Sequence, residues 1–94
     1  MKNSQITQLQ KQHGMYEMQK LINTGTAWKM EGYVGRSAMD ALRSGACYLP
    51  AKAYYDYYGN RVPARGDLEK GTKGTLQNAQ AFWSRVEEGS AILF

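Results

Sequence analysis

Ninety-four residues with one cysteine, one histidine and a net charge of +4 rule out a disulfide scaffold and a Cys/His zinc site, each of which needs several such side chains. The charge favours a phosphate-bearing partner, but the chain has no lysine or arginine run and no basic tail, which argues against long nucleic acid. Seven basic against four acidic residues make positions 35–75 the most basic stretch.

The first helix is predicted from about Ser4 to Asn23. Ile6 and Leu9 open a stripe that His13 and Tyr16 continue, and Met15, Met18 and Ile22 form a second. Gly14 interrupts the helix and is expected to weaken or kink it. Residues 1–14 then read as a solvated arm or an oligomerisation helix, residues 15–23 as the better-anchored part, and Gly25 as the stop. TAWKMEGYVGR, residues 26–36, alternates large apolar with charged side chains, as a short strand or an irregular approach to a helix would. Ser37 and Asp40 have capping-box spacing, so a second helix is predicted to start there and to end at Gly45. Cys47, Tyr48 and Leu49 form a brief apolar run expected to be buried.

Pro50 suits a first helical position and Gly59 a stop, which predicts a helix over Pro50–Tyr58. A strand is the alternative, because tyrosine favours strands. From Gly59 to Gly74 the chain is rich in turn residues. Thr75 is placed as the N-cap of a last helix to Glu88, with Leu76, Ala79, Phe82, Trp83 and Val86 on its apolar face and Gly89 ending it. The terminal SAILF is apolar enough that it is expected to pack or to meet a neighbouring subunit. The fold class is mainly α: a small single domain, 1–94, of three to four short helices with long glycine-rich loops and room for one short strand pair. A domain this small is marginal alone, so a homo-oligomer is expected. No apolar run reaches membrane-spanning length and the N-terminus lacks the apolar core of a signal peptide, so a cytoplasmic chain without a membrane partner is expected.

Two glycine-rich segments are predicted to lead into helices. Gly32 and Gly35 come before Arg36 and Ser37, and Gly71 and Gly74 flank Thr72 and Lys73. Backbone N–H groups at Gly35 and Gly74, with Arg36 and Lys73, have the composition of anion sites at helix starts. Well-capped helix starts with solvent-facing cations explain the same residues, and neither segment has the order of a Walker loop. AYYDYYGNRVPARGD, residues 53–67, has four tyrosines in five positions. On a helix Tyr54, Tyr57 and Tyr58 share a face that could serve packing, while Tyr55 points elsewhere. Four tyrosines cannot all be buried in so small a domain, so exposed rings among Tyr54, Tyr55, Tyr57 and Tyr58 could stack a base while Arg61 and Arg65 fork a phosphate. Trp28 and Trp83 are assigned to the core. His13 reads as a packed histidine, Cys47 has no neighbouring cation, and no metal-ligand spacing is present, so the chain reads as a non-enzyme with no metal and no cofactor. The RGD at 65–67 reads as a coincidence of turn residues.

TGTAWKMEGYVGRSAMDALRSGACYLP followed by DYYGNRVPARGDLEKGTKGTLQNAQAFW, spanning residues 24–83, resembles small uncharacterised proteins of bacteriophages and prophages. That resemblance implies a bacterial host cell and an anti-defence role. Small phage proteins of this kind include oligomeric sponges that hold cyclic or ADP-ribose-type immune signals without degrading them. The leading expectation is therefore a non-catalytic binder of a small nucleotide-derived ligand. The alternatives are an inhibitor of a host defence protein or complex such as a CRISPR effector, with the tyrosines as interface anchors, and a small nucleic-acid binder. The deciding geometry is whether Arg36, Lys73 and the Tyr54–Tyr58 cluster converge on one cleft.

Overall fold

A computed structural model describes residues 1–30 and 32–89; the SAILF tail lies outside them. The described chain is mainly helical, with four α-helices and one short antiparallel strand pair. Helix α1 covers Asn3–Gln12 and α2 covers Tyr16–Asn23. The single interrupted helix expected from the sequence is therefore two helices. Met15 N–H donates to Gln10 O at 2.8 Å, the closing bond of a Schellman end, which uses an orphan carbonyl of α1 and turns the chain at Gly14.

Nor is α1 a solvated arm. Ile6 and Gln10 on its inner face are fully buried, and α1 packs against both α2 and the last helix. After α2 a 3-10 turn, Thr26–Trp28, buries Ala27 and Trp28, so no strand forms over the described residues of 26–36. Helix α3 runs from Tyr33 to Ser44. It starts four residues before Ser37, on Gly32, and Ser37 lies inside it rather than capping it. Asp40 likewise belongs to no capping box and pairs with Arg43 one turn on, at 2.7 Å. The Ser–x–x–Asp spacing is a local signal. Starting at Tyr33 adds Val34, packed against the core, to the face on which Ala38, Ala41 and Leu42 are buried.

The predicted helix over Pro50–Tyr58 is absent. Its place is taken by strand β1, Tyr54–Tyr55, paired antiparallel with β2, Arg61–Val62, in the register Tyr54 to Val62 and Tyr55 to Arg61. The turn explains the outcome. The Asp56 carboxylate accepts from Tyr58 N–H at 2.9 Å and Asn60 N–H at 2.8 Å, and Asp56 O accepts from Gly59 N–H. An aspartate that satisfies the backbone two residues on competes with helix at its own position. A 3-10 turn at Arg65–Asp67 follows, then α4, Leu76–Glu87. Here the sequence expectation holds: the Thr75 hydroxyl accepts from Asn78 N–H at 3.2 Å, and Ala79, Phe82 and Trp83 are buried.

One apolar cluster draws on every helix, with Ile6, Ile22, Leu42, Leu49, Phe82 and Trp83 among its members. Its centre also holds two glutamines. The Gln19 side chain pairs with both backbone groups of Tyr48, accepting from N–H at 3.0 Å and donating to the carbonyl at 2.8 Å. Gln10 Nε2 donates to Gln19 Oε1 and to Ala46 O, both at 2.9 Å, and Trp83 Nε1 donates to the same Ala46 carbonyl at 3.1 Å. Residues 46–48 cross the core outside any helix or strand, and only Cys47 N–H among them finds a helix carbonyl, Ala41 O of α3 at 3.1 Å. These side chains supply the hydrogen bonds that a buried backbone must find.

Candidate functional site

The turn between β1 and β2, the start of α3 and the loop before α4 enclose an open groove of about 1000 Å³. Trp28, Met39, Leu42, Leu49, Val62 and Leu68 supply its apolar lining. Tyr57 N–H donates to Trp28 O at 2.7 Å, which ties the hairpin tip to the segment entering α3 and brings the two walls together. Tyr57 and Tyr58 stand at the groove with their rings edge to face, centroids 5.2 Å apart and 61% and 80% exposed.

Gly35, Arg36, Tyr58, Arg61 and Lys73, all expected as ligand-binding, line this one groove. Arg36 sits in the first turn of α3, and its guanidinium lies 3.8 Å from where a side chain on Gly32 would begin, so its charge adds to the positive helix end. Among the described residues neither Arg36 nor Lys73 has an ion pair, whereas Arg61 Nη2 holds Asp67 at 2.8 Å. That bond, and the Ala64 N–H after it, keep the Asp67 carboxyl below the usual carboxylate range.

The other four expected residues lie elsewhere. Tyr54 is half-buried, its ring pressed on Gly25. Tyr55 alternates to the opposite side of the strand, 60% exposed and outside the groove lining. Arg65 is engaged internally, donating to Leu49 O at 3.2 Å with its guanidinium 5.7 Å from the Tyr48 ring centroid. Gly74 is buried, with the Leu49 side chain 2.8 Å from where a Cβ would stand; its carbonyl accepts from Leu49 N–H. It is a glycine for close packing, and it presents no N–H cradle to the groove. The shared helical face of Tyr54, Tyr57 and Tyr58 disappears with the helix. In the RGD both charged side chains have internal partners, Arg65 with Leu49 O and Asp67 with Arg61.

Sequence reasoning counted Tyr57 among the rings that could stack a base, and the groove includes it, but took Trp28 only as core. Trp28 is 8% exposed, lines the groove, and its indole N–H has no acceptor among the described residues. No signal in the sequence separates such a tryptophan from an ordinary core one. Asp40, paired with Arg43, and Asp56, held by the turn, also reach the groove. Comparison of the chain with protein-family models, curated proteins and solved structures finds no match.

The groups most able to do covalent chemistry are elsewhere. His13 lies against Trp83, ring centroids 5.6 Å apart, beside α1 and α4. Cys47 is fully buried, and burial pushes its thiol from 9.0 up to about 12. Burial also raises Tyr48, partly offset by Arg65. A raised folded-state pKa means the native state holds its proton more tightly than the unfolded chain. The associated stability is present below about pH 9 and is lost between there and about 12. Native protein is expected to resist iodoacetamide at pH 8 and to react fully in denaturant, and its melting temperature is expected to fall as pH rises past 9. Rapid alkylation of the native protein would contradict this.

Among the described residues no helix is long and apolar enough to cross a membrane.

Proposed function

We propose that this chain is a non-catalytic binding protein that takes a small, ring-bearing nucleotide into the groove and sequesters it, in keeping with an anti-defence role in a bacterial host. The observation carrying this reading is the convergence of Arg36, Lys73, Tyr57, Tyr58 and Trp28 on one apolar-lined groove. Apolar lining with a few convergent polar groups is the usual make-up of a small-molecule site. Exposed aromatic rings give a base a stacking surface, and unpaired cations give phosphate a partner. The alkaline thiol of Cys47 and the position of His13 support binding without turnover.

The test is a calorimetric and thermal-shift panel of mono-, di- and cyclic nucleotides with tryptophan fluorescence as a second readout. Binding is expected to perturb the emission, and Arg36→Gln is expected to weaken it by about tenfold to a hundredfold, the value of one charge-assisted hydrogen bond. Silence from every member of the panel in both measurements would overturn the reading.

A second reading has its own observation. Met30, Tyr33, Tyr55, Tyr57 and Tyr58 are all exposed large side chains, and Tyr is enriched at protein-binding hot spots. Inhibition of a defence protein, or pairing with a second copy of the chain, would use that surface. Recovery of a stoichiometric host protein lost on Tyr55→Ala, a residue outside the groove, would favour it.

A further inference from the structure

The charges around the groove go further than a general preference for anions. Four basic side chains line it, but two are already committed: Arg43 to Asp40 at 2.7 Å, and Arg61 to Asp67 at 2.8 Å. Arg36 and Lys73 remain, on separate elements, without ion pairs among the described residues. Two carboxylates lie in the same lining. Asp40 pairs with Arg43 as an exposed neighbour one turn on, and Asp56 is fixed by two backbone N–H donors.

A polyphosphate tail would bring several charges onto two available cations and set the remainder against the fixed Asp56 carboxylate. The volume adds a second constraint. About 1000 Å³ lies at the upper end of the roughly 300–1000 Å³ usual for ligand sites, room for more than one ring system.

Resting on the sequestration reading, we infer that the groove selects a dinucleotide-sized compound with two singly charged phosphodiesters and discriminates against nucleoside triphosphates. Arg36 and Lys73 each meet one phosphodiester. Tyr57, Tyr58 and the apolar lining hold the bases. Asp40 acts as a specificity residue, because its charge cancels that of Arg43, which would otherwise be a third available cation.

Titration calorimetry with cyclic di-AMP, AMP and ATP tests this on the wild type and on Asp40→Asn. Wild-type protein is expected to bind cyclic di-AMP at least about tenfold more tightly than ATP. Asp40→Asn frees Arg43 as a third available cation, so it is expected to raise ATP affinity about tenfold and to narrow or close that gap. The exposed Asp40–Arg43 pair contributes little to stability, so the variant should fold, which its melting curve checks. ATP binding as tightly as cyclic di-AMP, or an Asp40→Asn variant with an unchanged ratio, would overturn the inference while leaving nucleotide binding intact. Failure of all three ligands, with no nucleotide bound in the wider panel, would bring down both readings together.

Discussion

Replacing Gln19 with leucine is expected to destabilise the fold by roughly 3 kcal/mol, although the new side chain is apolar and similar in size. The native amide serves both backbone groups of Tyr48 in a site that is 2% exposed, and leucine can serve neither. Each buried backbone group left without a partner costs on the order of 1–3 kcal/mol. Gln10 keeps its bond to Ala46 but loses Gln19 Oε1. For a domain of this length roughly 4–8 °C is lost per kcal/mol, so the thermal midpoint should drop by about 10–25 °C. Asn23→Ala is the control. It removes only the outer acceptor of Gln19 Nε2, on an exposed residue, and should cost well under half as much. A leucine variant melting within a few degrees of wild type would show that the network is not what holds residues 46–48.

Gly45→Ala is expected to cost roughly 3–4 kcal/mol, from two causes that a second variant separates. Gly45 ends α3 at φ +100°, a conformation disfavoured by about 1–2 kcal/mol for a residue with a Cβ. The new methyl would also stand 2.7 Å from Phe82 Cβ and 2.8 Å from Asn78 O. Both are fixed parts of α4, so the helices must separate, and overpacking of this kind typically costs about 1–3 kcal/mol. Gly59 has φ +82° but no heavy atom within 4 Å of the corresponding position. Gly59→Ala should therefore show the backbone cost alone, about 1 kcal/mol. Chemical denaturation of the pair reads the difference; equal midpoints would mean that α3 and α4 are not in tight contact at this point.

What the sequence disclosed and what it withheld follow one division. The features carried by neighbouring residues were legible: Thr75 as a cap, Gly45 as a stop, the interruption at Gly14 and the apolar face of α4. Those decided by distant partners were not. The tyrosines of 54–58 fit a helical face on paper. Only the Asp56 turn, the pairing of Tyr54 with Val62 and the bond from Tyr57 to Trp28 make them a hairpin. Ser37 and Asp40 imitate a capping box because that motif is judged over four residues, while the burial along the face of α3 is judged across the core. Gln10 and Gln19 were invisible as core residues, since glutamine is mostly a surface residue and nothing local marks the exception. For the site, side-chain chemistry was a better guide than local geometry. Arg36, Tyr58, Arg61 and Lys73 meet in the groove with Gly35, but Gly35 and Arg36 do so from inside a helix rather than before one. Arg65 and Gly74 were claimed by packing.

The glutamine network has a consequence for how such a protein can change over time. Gln10, Gln19, Ala46, Tyr48 and Trp83 hold the crossing segment, and none of them lines the groove. Substitutions at Arg36, Tyr57, Tyr58 or Lys73 leave that network intact. The groove lining can therefore change, residue by residue, without first having to rebuild the framework that keeps the chain folded.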